Sequence, residues 1–278
     1  MSVGACVVLT HALVAILAGR PQVQDVPGTD EMQTGIPVAR VDATGPGLEV
    51  LRAKRWSPLA DGTLVKTGDR LRTGASAAAL KFPWTTLIVS PGSTLGIPPS
   101  IVLTANLDAG RIEQRAVGED IIKMRTPEAV IRGSGHLIVR RQNGKTFVSA
   151  IEGTFDVATG SGTLRLDAGY GTIVVPGERP TSPAALPAVA TSLYPGADPV
   201  YFVRGRPVQL RWAATAPEYY VQVRVSESDQ LAYAAEVTGG EHSLTLPLGL
   251  FRWRVAVATA DAPDGRPSPD GFICVVEE

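Results

Sequence analysis

The stretch Met124-Arg-Thr-Pro-Glu-Ala-Val-Ile-Arg-Gly-Ser-Gly-His-Leu-Ile-Val139 decides the fold of this chain. Two short β-branched runs, Ala129 to Arg132 and Leu137 to Val139, flank the break Gly133-Ser134-Gly135. Pro127 lacks the N–H that a continuous β-ladder would use. The pattern therefore predicts a strand, a kink and a second strand, and it contains no obvious catalytic group.

Composition extends this interpretation to the whole chain. Its 278 residues are 44% hydrophobic and 19% charged, with 29 Gly and 22 Pro, which favours a folded, turn-rich protein with few long helices. The length suits about two domains of 100 to 150 residues. With 26 Lys and Arg against 27 Asp and Glu, the net charge of -1 gives no electrostatic reason to expect nucleic acid as a partner.

Turn signals organise the region from Leu48 to Val175. Glycines recur at intervals near 20 residues, which is typical of a β-roll, a short β-helix-like coil or a twisted sandwich. Asn143-Gly144 joins the extended runs His136–Arg141 and Lys145–Ile151, and this dipeptide suits the positive φ angles of a type I′ hairpin turn. We therefore predict an all-β first domain over 45–176.

The N-terminus has the length of an export signal. Residues Val3 to Gly19 contain no charged side chain and hold two apolar runs, a segment too short for a bilayer span of about 20 residues. We predict a signal peptide over 1–19, with a retained N-terminal anchor as the alternative. A Pro- and Gly-containing stretch without persistent periodicity follows, and we predict a disordered leader over 20–44.

Several short motifs of the first domain resemble the FecR-like domain, the envelope domain of bacterial iron-citrate-type transmembrane regulators. The matching residues of the central stretch are Thr126, Pro127, Ala129, Arg132 and Gly133. Further matching motifs, in the family's order, are Thr67-Gly68-Asp69-Arg70-Leu71, Pro91-Gly92-Ser93, Leu107 with Gly110 and Ile112, Glu152-Gly153 with Phe155, and Ala168-Gly169 with Gly171. The resemblance implies an envelope sensor or contact module. The chain departs from the family at Ser134-Gly135 and at Trp84-Thr85-Thr86.

A Pro-rich linker separates a second domain with cleaner strand alternation. Six prolines between Pro176 and Pro199 predict an extended linker over 177–198 that forms no ladder. From 199 to 278, seven period-2 strands with one buried and one solvated face predict an immunoglobulin-like β-sandwich anchored by Trp212 and Trp253. This region resembles a bacterial fibronectin type III-like module.

Side chains that could carry chemistry are sparse. His136 and His242 lack a gathered set of acids and are expected to be structural. Asp264 lies in a loop whose acids match no calcium motif. Cys274 alternates with Phe272 and Val276, which predicts an inward strand residue.

We therefore predict no catalytic, cofactor or metal site. Two residues are candidates for partner contact, Trp84 in a turn and Arg132 in the central stretch.

These observations predict an exported, periplasmic or envelope-associated protein that is not an enzyme and needs no cofactor. Its partner would be an envelope protein or a cell-wall glycan, with signal sensing implied only by the family resemblance. Nucleic acid is not expected, and membrane contact is expected only through the N-terminal segment. The alternatives are a carbohydrate-active enzyme on a β-helical scaffold, which would align several acids in one groove, and a structural spacer without a ligand.

Overall fold

The protein is all-β, as its turn-rich sequence predicts. The computed structural model describes residues 35–42, 47–99, 105–116 and 121–278, and these ranges contain strands and turns but no helix. Residues Gln33–Glu278 form one compact unit. The predicted signal peptide and most of the predicted leader lie outside the described residues.

Fifteen strands belong to one coiled sheet, which we call the N-terminal sheet. They are β1 (Pro37–Val41), β2 (Leu48–Arg52), β3 (Arg55–Pro58), β4 (Leu64–Lys66), β5 (Arg70–Thr73), β6 (Ala78–Lys81), β7 (Thr85–Val89), β8 (Thr94–Gly96), β9 (Ala105–Ala116), β10 (Ile122–Arg125), β11 (Val130–Gln142), β12 (Lys145–Thr159), β13 (Gly162–Asp167), β14 (Tyr170–Val174) and β15 (Ala184–Ala185). Its pairings are antiparallel except for β9 with β10.

Glycine kinks let the long strands pass from one layer of this sheet to another. The first half of β9 pairs with β8 and β10, and its second half pairs with β7 and β11. In β12, Gly153 has φ +79°, and a Cβ there would lie 1.9 Å from the carbonyl oxygen of Ser134 on β11. Only glycine fits this crossing. The sheet thereby wraps around an apolar core that includes Leu71, Leu107 and Phe155.

The predicted strand, kink and strand are confirmed in β11. This strand bends at Gly135, which has φ +120°, and a register irregularity follows between His136 and Leu137. The hairpin is also confirmed, because Asn143 (φ 51°) and Gly144 (φ 72°) form the two-residue turn that joins β11 to β12.

Part of the predicted leader is a β-strand. Pro37–Val41, inside the range predicted as leader, forms β1 and pairs with β4 and β6. The strand is short and starts at a proline, but Ala39 and Val41 alternate into the core. A five-residue strand among Pro- and Gly-containing segments is too short to give a recognisable sequence pattern.

The remaining seven strands form the C-terminal sandwich, as predicted. They are β16 (Val200–Val203), β17 (Val208–Arg211), β18 (Glu218–Val225), β19 (Leu231–Thr238), β20 (Glu241–Leu244), β21 (Gly249–Val257) and β22 (Gly271–Val276). Five strands form one sheet in the order β16-β22-β21-β18-β19, and β17 with β20 forms the other. Between them, Trp212 packs 6.2 Å from Trp253 and 5.4 Å from Tyr219, measured between ring centroids.

The Pro-rich segment is packed against both parts. Contrary to the prediction that it forms no ladder, Ala184 and Ala185 pair with β14. Ala190 is buried in the sandwich core, and the carbonyl oxygen of Pro195 accepts a hydrogen bond from Trp253 Nε1 at 2.9 Å. Prolines cannot donate to a ladder, but the residues between them can. The domain boundaries at 176 and 199 themselves stay a prediction.

Two predictions about strand faces were wrong. Ile273 and Val275 point into the sandwich core, so Cys274 lies on the opposite, partly exposed face of β22. Since β22 is apolar on both faces, alternation could not identify the inner one. The polar face of β18 is not solvated either, because Tyr220 and Gln222 are each 2% exposed. The N-terminal sheet covers that face.

Candidate functional site

The candidate site is the surface at which the N-terminal sheet meets the C-terminal sandwich. Strand alternation presents Arg111, Glu113 and Arg115 on the face of β9 that points away from the apolar core, while Ile112 faces into that core. On the neighbouring β11, His136 and Arg140 lie opposite Arg115 and Arg111 in the register. A polar stripe therefore crosses two adjacent strands.

The sandwich presents a matching stripe. On β18 the outward side chains are Tyr220, Gln222 and Arg224, and β21 places Arg254 opposite Gln222 and Arg252 opposite Arg224. The Arg224–Arg252 pair sets like charges directly across neighbouring strands, an arrangement that is unfavourable without a shared anion. That anion has to come from outside the two strands.

Glu113 is the first centre of the interface, and it is 3% exposed. Its Oε1 lies 2.9 Å from His136 Nε2 and accepts a hydrogen bond from Arg254 Nη2 at 2.7 Å. Its Oε2 accepts from Gln222 Nε2 at 2.5 Å and lies 3.7 Å from Arg111 Nη1. One carboxylate of the N-terminal sheet thereby holds two side chains of the sandwich.

Asp264 is the second centre of the interface. Here the sandwich supplies the acid, and the N-terminal sheet supplies the arginines. Asp264 is 1% exposed and accepts from Arg111 Nε at 2.6 Å and from Arg140 Nε at 3.0 Å. Arg140 also donates to the carbonyl of Ala262 at 2.6 Å and to Gln142 Oε1 at 2.6 Å. The loop that carries Asp264 is thereby fastened to β11.

Aromatic and apolar contacts surround these ions. The guanidinium of Arg111 lies 3.7 Å from the ring centroid of Tyr220, whose hydroxyl accepts from Ser90 Oγ at 2.8 Å. Small and aliphatic side chains from both sides of the interface complete the contact: Ala77, Ala79, Ile88, Leu231, Ala234 and Ala258. The interface is thus packed and dehydrated, which strengthens every ionic contact within it.

The pKa shifts follow from this arrangement. Burial raises the pKa of Glu113, but Arg254, His136 and Arg111 outweigh it, and the pKa lies well below the ordinary 4.5. Burial opposes the charge of Arg111, yet Asp264 and Glu113 hold its pKa above the ordinary value. For Arg254, burial lowers the pKa, Glu113 opposes this, and Arg224 adds to the lowering. Glu113 is therefore a charged hydrogen-bond acceptor at neutral pH. For Arg254, burial opposes the positive charge by more than Glu113 stabilises it.

A polar cleft of about 250 Å³ opens beside the network. Its lining residues come from both parts of the protein and are mostly charged: Thr86, Ile88, Glu113, Arg115, Gln222, Arg224, Asp229, Arg252, Arg254 and Asp270. Asp229 is the shared anion for the like-charged pair, since its Oδ1 accepts from Arg224 Nη1 at 3.0 Å and from Arg252 Nη2. Arg252 Nη1 lies 3.6 Å from Asp270.

The two predicted contact residues lie elsewhere. Trp84 is half-buried in the β6–β7 turn, packed against the core with its ring 5.9 Å from that of Phe82. Arg132 is exposed near the beginning of β11, opposite Asp156 of β12. Neither lines the cleft, although Trp84 precedes the lining residue Thr86 by two positions. Their role as partner contacts stays a prediction.

The motif residues of the central stretch have a structural role. Thr126 Oγ1 accepts from the backbone N–H of Ala129 at 3.0 Å and lies 2.9 Å from Thr146 Oγ1. Glu128 accepts from Thr146 Oγ1 at 2.7 Å and from two nitrogens of Arg141 at 2.7 and 2.9 Å. This network closes the turn between β10 and β11 onto β12.

Sequence reasoning missed the charge network because its members are far apart in the chain. Glu113 and Arg254 are 141 positions apart, and Arg111 and Asp264 are 153 apart. His136 was expected to be structural, and it is buried against one carboxylate. In the described ranges no group of three or more His, Cys, Asp or Glu side chains is placed to hold a metal ion. The alternation of charged residues in β9, β18 and β21 was the available signal.

Comparisons with known proteins give only partial likenesses. No protein-family model and no curated protein sequence matches the chain. Two crystal structures of a Parabacteroides distasonis protein assigned as an anti-sigma factor are 16% identical, with TM-scores of 0.37 and 0.36, and the matches cover 42% and 41% of this chain. The aligned parts span 59% and 57% of those chains, less than two thirds of their length.

The fibronectin domains 1–3 of chicken CNTN1 give a TM-score of 0.26 at 8% identity, covering 88% of this chain and 96% of that one. All three TM-scores are too low for us to draw any functional conclusion from these likenesses. In the described part of the chain we find no helix with the length and apolar character needed to span a bilayer.

Proposed function

We propose that this protein is an exported, non-enzymatic module of the bacterial cell envelope that binds an envelope protein or a cell-wall glycan. The observation that carries the proposal is the buried charge network, in which Glu113 and Asp264 are each held by two guanidinium groups. Such a network fixes the sheet and the sandwich relative to one another. A fixed arrangement of the two parts supports a preformed binding surface.

A preformed surface favours binding because little conformational freedom remains to be lost when a partner arrives. The polar cleft takes residues from β7 and β9 on one side and from β18 and β21 on the other. Its geometry therefore exists only while the two parts stay together. This dependence suits a module that senses a signal, because a partner that separated the N-terminal sheet from the sandwich would abolish the cleft.

The FecR-like motifs add independent support for the envelope location and the sensing role. Of that signature, Thr126 and Ala129 build the turn between β10 and β11, and Gly133 lies in β11 opposite Ile122. The FecR-like assignment, the export signal and the sensing role all belong to this proposal.

The carbohydrate-active alternative receives less support. A glycosidase needs one carboxylic acid whose pKa is raised so that it can protonate the leaving group. Glu113 is the buried acid of the cleft, and its pKa is shifted in the opposite direction. Asp229 is likewise held by two arginines, Arg224 and Arg252, and its pKa is lowered.

The test uses the chain from residue 20 onward, immobilised and exposed to envelope extract, with peptidoglycan sedimentation in parallel. The proposal predicts saturable retention of one partner without cleavage of the glycan. Release of new reducing ends would support the enzyme. If nothing were retained above the level of a bead without protein, the spacer hypothesis would replace the proposal.

A further inference from the structure

The cleft between the two parts carries more positive than negative charge. The described residues that line it include four arginines and three acids, and each acid is already engaged by a guanidinium. Among the described residues, the acid paired with Arg115 is Glu152, which lies 3.4 Å from the exposed Nη2. One guanidinium charge is therefore left without a matching carboxylate inside the cleft.

The positions of the arginines concentrate this excess. Arg224 and Arg252 are direct cross-strand neighbours on β18 and β21, and Arg254 follows Arg252 on the same face of β21. Asp229 bridges the first two, and Arg252 also lies 3.6 Å from Asp270. The repulsion between like charges this close is unfavourable. An anion that entered the cleft would relieve it.

We infer that the cleft binds the free carboxylate at the C-terminus of an extended peptide, which deepens and rests on the proposed binding function. A carboxylate matches the single excess charge, whereas a phosphate group carries about 1.5 to 2 negative charges at neutral pH. Guanidinium groups bind carboxylates through two parallel hydrogen bonds, and this geometry gives specificity for a planar anion.

The size and remaining lining favour a peptide end. A volume of about 250 Å³ is below the range of about 300 to 1,000 Å³ found for pockets that enclose a whole ligand, so the cleft suits a terminal group. Thr86, Asp229 and Asp270 offer oxygen acceptors for the amide N–H groups next to a C-terminal carboxylate. In the part of the chain that the structure describes, no aromatic side chain on which a sugar ring could stack lines the cleft.

The experiment titrates the full chain with N-acetyl-L-alanyl-L-alanine, its D,D stereoisomer and the C-terminal amide of each. Calorimetry measures affinity, and NMR follows the arginine Nε–Hε resonances. We expect saturable binding of at least one free acid, with its amide at least about tenfold weaker, because a charged hydrogen-bond acceptor has been lost. Preference for the L,L acid indicates a protein C-terminus, and preference for the D,D acid a cell-wall peptide; either supports the inference.

Variants locate the binding. Arg115→Gln and Arg252→Gln each remove one cleft guanidinium and should weaken binding of the acid about tenfold. Arg165→Gln is the matched control, since Arg165 is an exposed, ion-paired arginine of β13 outside the cleft, and it should leave affinity unchanged. Circular dichroism confirms that each variant is folded.

The inference is overturned if acid and amide bind equally, if the acids do not bind saturably, or if both cleft variants bind like the control. These failures can be told apart from failure of the proposed function. If the wild-type chain still captured an envelope partner, and the two cleft variants captured it equally well, the binding function would stand and the cleft would not be its site. If the wild type captured nothing, the proposed function would fail as well.

Discussion

Substituting Asp264 by Asn tests the charge network at one of its two buried acids. The change keeps the side-chain volume and removes the charge that Arg111 and Arg140 share. Removing one partner from a buried ion pair costs about 3 to 5 kcal/mol. Arg140 retains carbonyl partners such as Ala262, whereas Glu113, at 3.7 Å, is the one ionic partner that Arg111 retains among the described residues. We therefore expect a loss at the lower end, about 3 kcal/mol in the free energy of unfolding.

Urea unfolding followed by tryptophan fluorescence measures this loss. With a denaturant dependence of about 3 kcal/mol per molar urea for a chain of this size, the midpoint should fall by about 1 M. Asp167→Asn is the matched control, because Asp167 is exposed and its oxygen lies 3.6 Å from Arg165, and it should change stability by less than about 0.5 kcal/mol. A loss below about 1 kcal/mol for Asp264→Asn, or a loss equal to that of the control, would refute the reasoning.

Two further predictions concern pH and the glycine kinks. Because the folded-state pKa of Glu113 is below 4.5, its charge stabilises the fold above that pH, and the contribution disappears as the pH falls through the folded-state pKa. Glu113→Gln should therefore lower stability at neutral pH and flatten the decline below pH 4.5, and urea midpoints with an unchanged pH profile would contradict this. Gly153→Ala should cost at least about 2 kcal/mol in the same assay, because the new Cβ meets the Ser134 carbonyl at 1.9 Å and the positive φ is strained. Gly160→Ala, with no atom near its Cβ, should stay within about 0.5 kcal/mol, and equal losses for both variants would show that the kink tolerates a side chain.

Turns and apolar core residues could be predicted from the sequence. Polar contacts between residues far apart in the chain could not. Asn143-Gly144 defines its hairpin through the backbone angles of two residues, and Trp212 and Trp253 identify the sandwich core through size and alternation. These features depend on neighbours close in the chain or on burial alone. The all-β class and the seven-stranded sandwich followed from them.

The polar faces were misjudged for a physical reason. Alternation in β18 separates Tyr219 and Val221 from Tyr220 and Gln222, and polar residues on one face normally indicate solvent. Here that face is buried because Glu113 supplies the partner that water would otherwise supply. A single sequence does not show which charged residues of one strand will meet those of another strand more than 100 positions away. The candidate site and its strands β7 and β9 therefore depended on the structure, whereas β11, β18 and β21 were indicated by the sequence.

The central claim is that the N-terminal sheet and the C-terminal sandwich form one rigid body. Nitrogen-15 NMR relaxation of the full chain tests it directly, by giving a rotational correlation time for backbone amides in each part. The charge network and the packed Pro-rich segment predict one common value for strands β9 and β11 and for strands β18 and β21. Two distinct values, each shorter than expected for a single particle, would contradict the claim.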